Sequence, residues 1–132
     1  MSREIKFRAW DYTQGRYLEH IKNITNDMAG QFHHVDGEEI TGSDTTLLYD
    51  DVEIEQYTGL KDKNGEEIYE GDIMRYDAID YKVLWADYYA GFETKRLNSP
   101  WNNAGLTLHF LARVGTVIGN IHENPELVGD NG

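Results

Sequence analysis

Cysteine is absent from the 132 residues, which removes disulfides, thiolate nucleophiles and thiolate zinc sites together and points to a cytosolic protein. Basic residues are scarce, with 12 Lys and Arg against 24 Asp and Glu and a formal net charge of −12. Gripping a nucleic-acid backbone depends on clustered cations that displace counterions, so direct nucleic-acid binding is not expected. The same charge suits solubility, an assembly with locally paired charges, or a basic partner protein. No apolar run approaches the roughly 18–20 residues of a membrane span, and Met1-Ser2-Arg3-Glu4 lacks the apolar segment of a signal peptide, so a soluble, non-secreted chain is expected. The G-x-x-x-x-G-K-S/T, G-x-G-x-x-G, H-E-x-x-H and G-x-S-x-G patterns are missing, as is any internal repeat. The glycines fall between strands and not at strand-to-helix junctions, so a nucleotide has no helix N-terminus to sit on. No cofactor and no metal are expected.

What is present is a large stock of core-forming side chains: 39% apolar residues, with nine Tyr and three Trp. That is enough for one compact domain, or for two small lobes sharing a core, here drawn at 1–54 and 55–132. The chain is organised around Tyr57–Ile73, where turn formers at fixed offsets are bracketed by short apolar runs. Asn64-Gly65 predicts the two left-handed residues of a tight type I′ hairpin, and Gly59 and Gly71 mark places where a Cβ would obstruct. Asp72, between Gly71 and a strand, is expected to accept backbone N–H groups and organise its turn.

In chain order, residues 3–10 alternate, with Ile5, Phe7 and Ala9 on one face and Lys6, Arg8 and Trp10 on the other, which predicts a strand and, after a turn at 11–15, a hairpin. Trp10 can stack on a ligand or cover that hairpin's open face; its packing area favours the latter. Between Asn23 and Asp51 the pattern weakens, with a hairpin turn predicted at Asp36-Gly37 and a short helix near Ile24–Ala29. His33 and His34 would point to opposite faces of a strand and cannot chelate one ion without a bend. Val52 and Ile54 are predicted inward, with Glu53 and Glu55 on a solvated face. Beyond Gly71, strands are predicted at Ile73–Tyr76, Tyr81–Trp85, Gly91–Arg96, Leu106–Leu111 and Val114–Ile121, a spacing that suits a small barrel or roll. Residues 97–105 read as an exposed loop carrying Trp101, an aromatic contact residue on a polar loop. Gly115 and Gly119 suggest a bulge or close approach in the last strand. Asn124 as N-cap and Pro125 at the first helical position predict a final turn of helix.

Three segments together carry a resemblance: Arg3-Glu4-Ile5-Lys6-Phe7-Arg8-Ala9-Trp10-Asp11, the middle stretch Gln56–Ile73, and Val117-Ile118-Gly119-Asn120-Ile121-His122-Glu123-Asn124-Pro125-Glu126-Leu127. In these the chain resembles the YopX family of phage and prophage proteins. The resemblance implies a mostly β chain of short-strand antiparallel sheets, an SH3-like small barrel in the C-terminal part, at most short helices, and a bacteriophage or prophage origin. It brings no established activity and no catalytic residues.

The expectation for function is therefore a non-enzymatic interaction or assembly module in the cytoplasm of the host bacterium. It would join copies of itself as a homo-oligomer, or a host or phage protein, with Trp101, Trp10 and Tyr57 as candidate contact residues. Gly59, Asn64, Gly65, Gly71 and Asp72 are expected to be structural. The alternative is an acidic decoy that imitates the charge of DNA and occupies a basic nucleic-acid-binding protein. A hydrolase or metal-dependent enzyme built on Glu70, Asp72 or neighbouring acids is the weakest reading, for want of an activated nucleophile or base.

Overall fold

The computed structural model describes residues 4–18, 20–26, 32–38, 44–48, 52–99 and 104–129, with the three segments between 20 and 48 as backbone. The chain forms two compact units, Lys6–Gln56, and Tyr57–Gly132 with Met1–Ile5. The fold is mostly β: the described residues form antiparallel sheets of four, four and three strands and two helices of seven and four residues. Neither described helix is long and apolar enough to cross a membrane.

In the Lys6–Gln56 unit, β1 (Phe7–Asp11) pairs with β2 (Arg16–Tyr17), and Trp10 lies opposite Tyr17. The connecting turn is built by Asp11, whose Oδ1 accepts the N–H groups of Thr13 and Gln14 at 2.9 and 3.3 Å, while Gly15 takes a φ of +69°. On its other side β1 pairs with the first half of β6 (Val52–Lys61), from Phe7 opposite Gln56 to Asp11 opposite Val52. Ala9 and Val52 are buried, with Leu18 and Ile54 packed against them. The predicted alternation holds only in part: Ala9, Trp10 and Asp11 are buried in succession, and Ile5 lies exposed ahead of the strand.

The same unit contains β3 (His20–Asn26), β4 (Phe32–Glu38) and β5 (Asp44–Leu48), with β4 in the middle. Two expectations are corrected here. Asp36-Gly37 is not a hairpin turn but the interior of β4, paired with Asn23 and Ile21 on one side and Thr46 and Thr45 on the other. Ile24 to Asn26, placed in a short helix, belong to β3; β-pairing on the partner strand outweighs a helical pattern that has no cap. Residues 27–29 of that expected helix lie outside the described residues.

In the second unit the rest of β6 pairs with β7 (Glu67–Tyr69). The register slips between Tyr57 and Lys61, where Gly59 takes a φ of +88°, a bulge that only glycine forms without strain. β8 (Asp72–Tyr76), β9 (Ile79–Ala86) and β10 (Gly91–Arg96) form a meander, and β11 (Thr116–Asn120) joins on the far side of β8. Ile68, Met74, Tyr81, Val83, Leu108, Leu111 and Ala112 make the core.

Leu106–Leu111, predicted as a strand, lies mostly in helix α1 (Leu108–Val114). Its alternating apolar residues also satisfy a helical spacing, since Leu108, Leu111 and Ala112 recur at i, i+3 and i+4 and are the buried face. The Thr107 side chain accepts the Phe110 N–H at the N-terminus. Gly115 is the C-cap of this helix, not a strand residue; the bulge in β11 lies between Val117 and Gly119, where the register against β8 shifts and Gly119 pairs with Ile73. The final helix α2 (Pro125–Val128) has Pro125 in its first turn. Asn124, expected to cap it, makes no side-chain cap bond, and its Oδ1 accepts the Asn120 N–H at 3.2 Å instead.

The turn chemistry is also redistributed. Asn64-Gly65 is not a type I′ pair, because only Gly65, at φ +86°, is left-handed. The Asp62 carboxylate draws in the N–H groups of Asn64 and Glu66 at 2.8 and 2.9 Å, and Gly65 N–H reaches the Asp62 carbonyl at 2.9 Å, which folds a longer loop. Gly65→Val is expected to cost more than about 1 kcal/mol, since a β-branched residue resists positive φ, whereas exposed Lys63→Ala should change little. Equal urea midpoints for the two variants would contradict this. The two-residue, doubly left-handed turn occurs instead at Asp77-Ala78, φ +54° and +63°, between Tyr76 and Ile79. Relieving alanine's strain there, Ala78→Gly is expected to stabilise by about 0.5–1 kcal/mol after glycine's unfolded-state entropy is subtracted, read as a higher denaturation midpoint at unchanged slope.

Candidate interaction surface

The hairpin joining β9 to β10 closes with Ala86 opposite Gly91, and the loop between them carries Ala90 at φ +56°. Gly91 leaves room for an aromatic ring: a Cβ there would lie 2.6 Å from Cε2 of Tyr89, so the Tyr89 ring occupies space that any other residue would fill. The Tyr89 hydroxyl donates to the Phe92 carbonyl at 2.9 Å. Tyr88 meets Tyr89 edge to face, with centroids 4.7 Å apart, and its hydroxyl donates to Glu93 Oε2 at 2.9 Å. Although 79% and 50% exposed, the two rings are thus held by their own polar ends. Exposed aromatics normally gain by turning inward, and this pair is instead held in order in the open.

The rings form one wall of an open groove of about 530 Å³. Glu93 and Lys95 continue that wall along β10, and Gly105 to Leu108 form the other. The second wall is pressed against the strand: Ala104 bridges to Lys95, Thr94 donates its hydroxyl to the Leu106 carbonyl, and Gly105 packs on the Thr94 backbone. The groove offers ring faces, one carboxylate and one ammonium, the groups of recognition by stacking and charge.

Electrostatics follow the geometry. The bond to Glu93 holds the Tyr88 phenol above its usual range, with burial and the Glu93 charge adding to it. Tyr89 is raised as well, by burial and then by Glu93. The same chemistry occurs twice in the Lys6–Gln56 unit. Tyr12 donates to Glu53 at 2.9 Å, and burial followed by that bond pushes its phenol up to about 12. Because the folded value lies above the ordinary value of about 10, the stabilisation is complete below pH 10 and is lost as pH climbs toward 12. Between pH 9 and 12 the protein is therefore expected to lose more unfolding free energy than Tyr12→Phe, a difference that denaturant titrations at each pH would show. Tyr17 donates to Glu55 at 2.9 Å, and Arg8 completes that pair. Its Nε lies 2.7 Å from the same Glu55 oxygen, and its guanidinium sits 4.5 Å over the Tyr17 ring. Glu55, expected on a solvated face, is 2% exposed; pairing with Arg8 and Tyr17 is what lets its charge be buried.

The candidate contact residues fall elsewhere. Trp10 is 8% exposed and packs edge to face on Tyr17 at 5.0 Å, and Tyr57 is 4% exposed, 5.4 Å from Tyr69, so neither presents an open ring. Trp101 lies outside the described residues. Leu97, at the start of its expected exposed loop, is buried and donates its N–H to the Asp80 carbonyl at 2.9 Å. Gly71 takes a φ of +89° and exchanges backbone bonds with Val83 and Ile121, and Asp72 accepts the Tyr69 N–H at 2.8 Å. Tyr88 and Tyr89 were missed from sequence; two adjacent aromatics in a turn just ahead of Gly91 were the available signal.

The chain is similar to the crystal structure of protein EF1440 from Enterococcus faecalis, with 31% identity and a TM-score of 0.67 over 96% of this chain and 99% of that one. No curated protein matches it. The model of the family described as YopX protein matches residues 6–129, nearly the whole chain, and the protein belongs to the YopX family.

Proposed function

We propose that this protein is a non-enzymatic, phage- or prophage-encoded interaction module, working in the cytoplasm of the host bacterium and engaging a protein partner through the groove at the β9–β10 hairpin. The observation that carries this is the Tyr88–Tyr89 pair, exposed yet fixed edge to face with both hydroxyls bonded. Fixing the rings before contact lowers the entropy lost on binding, and aromatic side chains supply much of the energy at protein contacts. The partner is a second copy of the chain or another protein of host or phage.

Site-specific photocrosslinking in the host distinguishes these. A benzoylphenylalanine at position 88 is expected to give a discrete adduct that the same group at exposed position 63 does not. An adduct of twice the chain's 15.2 kDa reads as self-association, and any other discrete mass as a separate partner. No adduct at position 88 under conditions where the protein is folded and abundant would overturn the proposal.

A further inference from the structure

Two of the three tyrosine–glutamate pairs described above share a hydroxyl-to-carboxylate bond of 2.9 Å but differ in burial, Glu55 being buried and Tyr88 exposed, and in whether a cation joins them. In the Lys6–Gln56 unit, Tyr17 donates to Glu55 at 2.9 Å, and the Arg8 guanidinium both pairs with Glu55 and lies over the Tyr17 ring. At the groove, Tyr88 donates to Glu93 at 2.9 Å. Among the described residues no cation pairs with Glu93 and none lies over the Tyr88 ring. Lys95 is the groove's own ammonium, two residues along β10, yet it makes no ion pair with Glu93.

We infer that the groove takes an arginine from a basic segment of a partner protein, which completes the Tyr88–Glu93 pair as Arg8 completes Tyr17–Glu55. This rests on the interaction-module reading and names the chemistry of the partner. A guanidinium suits the position because its plane stacks on an aromatic face while its edge forks toward a carboxylate; an ammonium does only the second well. The Tyr88 hydroxyl occupies Oε2 of Glu93, leaving Oε1 as the acceptor for that edge. Charge complementarity favours such a partner over a second copy. The chain carries a net charge of −12, so another copy is repelled at range while a basic segment is drawn in. Asp87, in the same hairpin loop, is exposed and adds to the local negative potential.

The test uses the whole 15N-labelled protein and two capped hexapeptides, Gly-Gly-Arg-Arg-Gly-Gly and its counterpart with citrulline, which keeps arginine's shape without the charge. The arginine peptide is expected to shift the amide signals of residues 88–94 with millimolar affinity. The citrulline peptide should bind at least tenfold more weakly, as should the arginine peptide to Glu93→Gln, whose folding is checked by circular dichroism. Lys95→Ala should tighten binding by removing a like charge. Equal binding of the two peptides, or shifts spread evenly over the acidic residues at 66, 77 and 126 with no excess at 88–94, would overturn the arginine assignment. Neither result would touch the crosslinking outcome at position 88, so this inference can fail while the broader proposal stands.

Discussion

Asp62→Ala is expected to lower the stability of the protein by about 3 kcal/mol, a fall in Tm of roughly 10 °C. One carboxylate holds three backbone donors: Oδ1 accepts the N–H groups of Asn64 and Glu66, and Oδ2 accepts that of Val117 at 2.8 Å. Asp62 itself is only 7% exposed. Alanine strips the acceptor from all three donors. Those of Asn64 and Glu66, in an exposed turn, find water, but the Val117 N–H lies part-buried where β11 begins and loses most. Asp62→Asn keeps one good acceptor and should cost about half as much. If Asp62→Ala unfolded within 2 °C of the parent, the bridging role assigned to this carboxylate would be wrong.

Gly105→Ala should cost about 2–3 kcal/mol, whereas Gly91→Ala should cost less than about 1 kcal/mol, although an added Cβ clashes at both. The difference lies in what the new atom would meet. At Gly105 it would sit 1.9 Å from the Thr94 carbonyl oxygen, on a strand whose backbone is fixed by its pairing with β9. At Gly91 it would meet the far end of the Tyr89 side chain, which can swing away at the price of its bond to the Phe92 carbonyl. Chemical denaturation of both variants decides the matter; equal losses would mean that residues 104–108 do not press on β10 as described.

The sequence made the sheets legible where period-two patterning survives, as in β9, whose Tyr81 and Val83 are buried on either side of half-buried Lys82; β8, with Asp72, Ile73 and Met74 buried in succession, reads instead as a short apolar run between turns. It misled where a segment satisfied two periods at once. Leu106, Leu108 and Phe110 alternate, but Leu108, Leu111 and Ala112 also lie three and four apart, and the Thr107 cap favours the helix. Turns were read from residue type alone, and that was the weaker step. Asn64-Gly65 has the composition of a type I′ turn but yields to the Asp62 carboxylate, while Asp77-Ala78 takes that conformation without a glycine because the β8–β9 pairing imposes it. The groove was the least legible part. Its walls come from residues 88–95 and 104–108, and only the fold sets Gly105 against Thr94. The three tyrosine–glutamate pairs share no spacing, since Tyr88 and Glu93 are five residues apart and Tyr17 and Glu55 thirty-eight.

The Asp62–Val117 bond, which spans 55 positions of the chain, also bears on the order in which the second unit assembles. The β8-β9-β10 meander needs only short loops, so it can form early at little entropic cost. β11 must instead return across the meander and α1 before it can pair with β8, and the Asp62 carboxylate can bind Val117 only once that closure is made. A contact of this kind belongs to the native side of the folding barrier. Removing it should therefore act on the lifetime of the folded state, quickening unfolding by roughly a hundredfold, the whole of the loss of about 3 kcal/mol, while leaving the refolding rate almost unchanged.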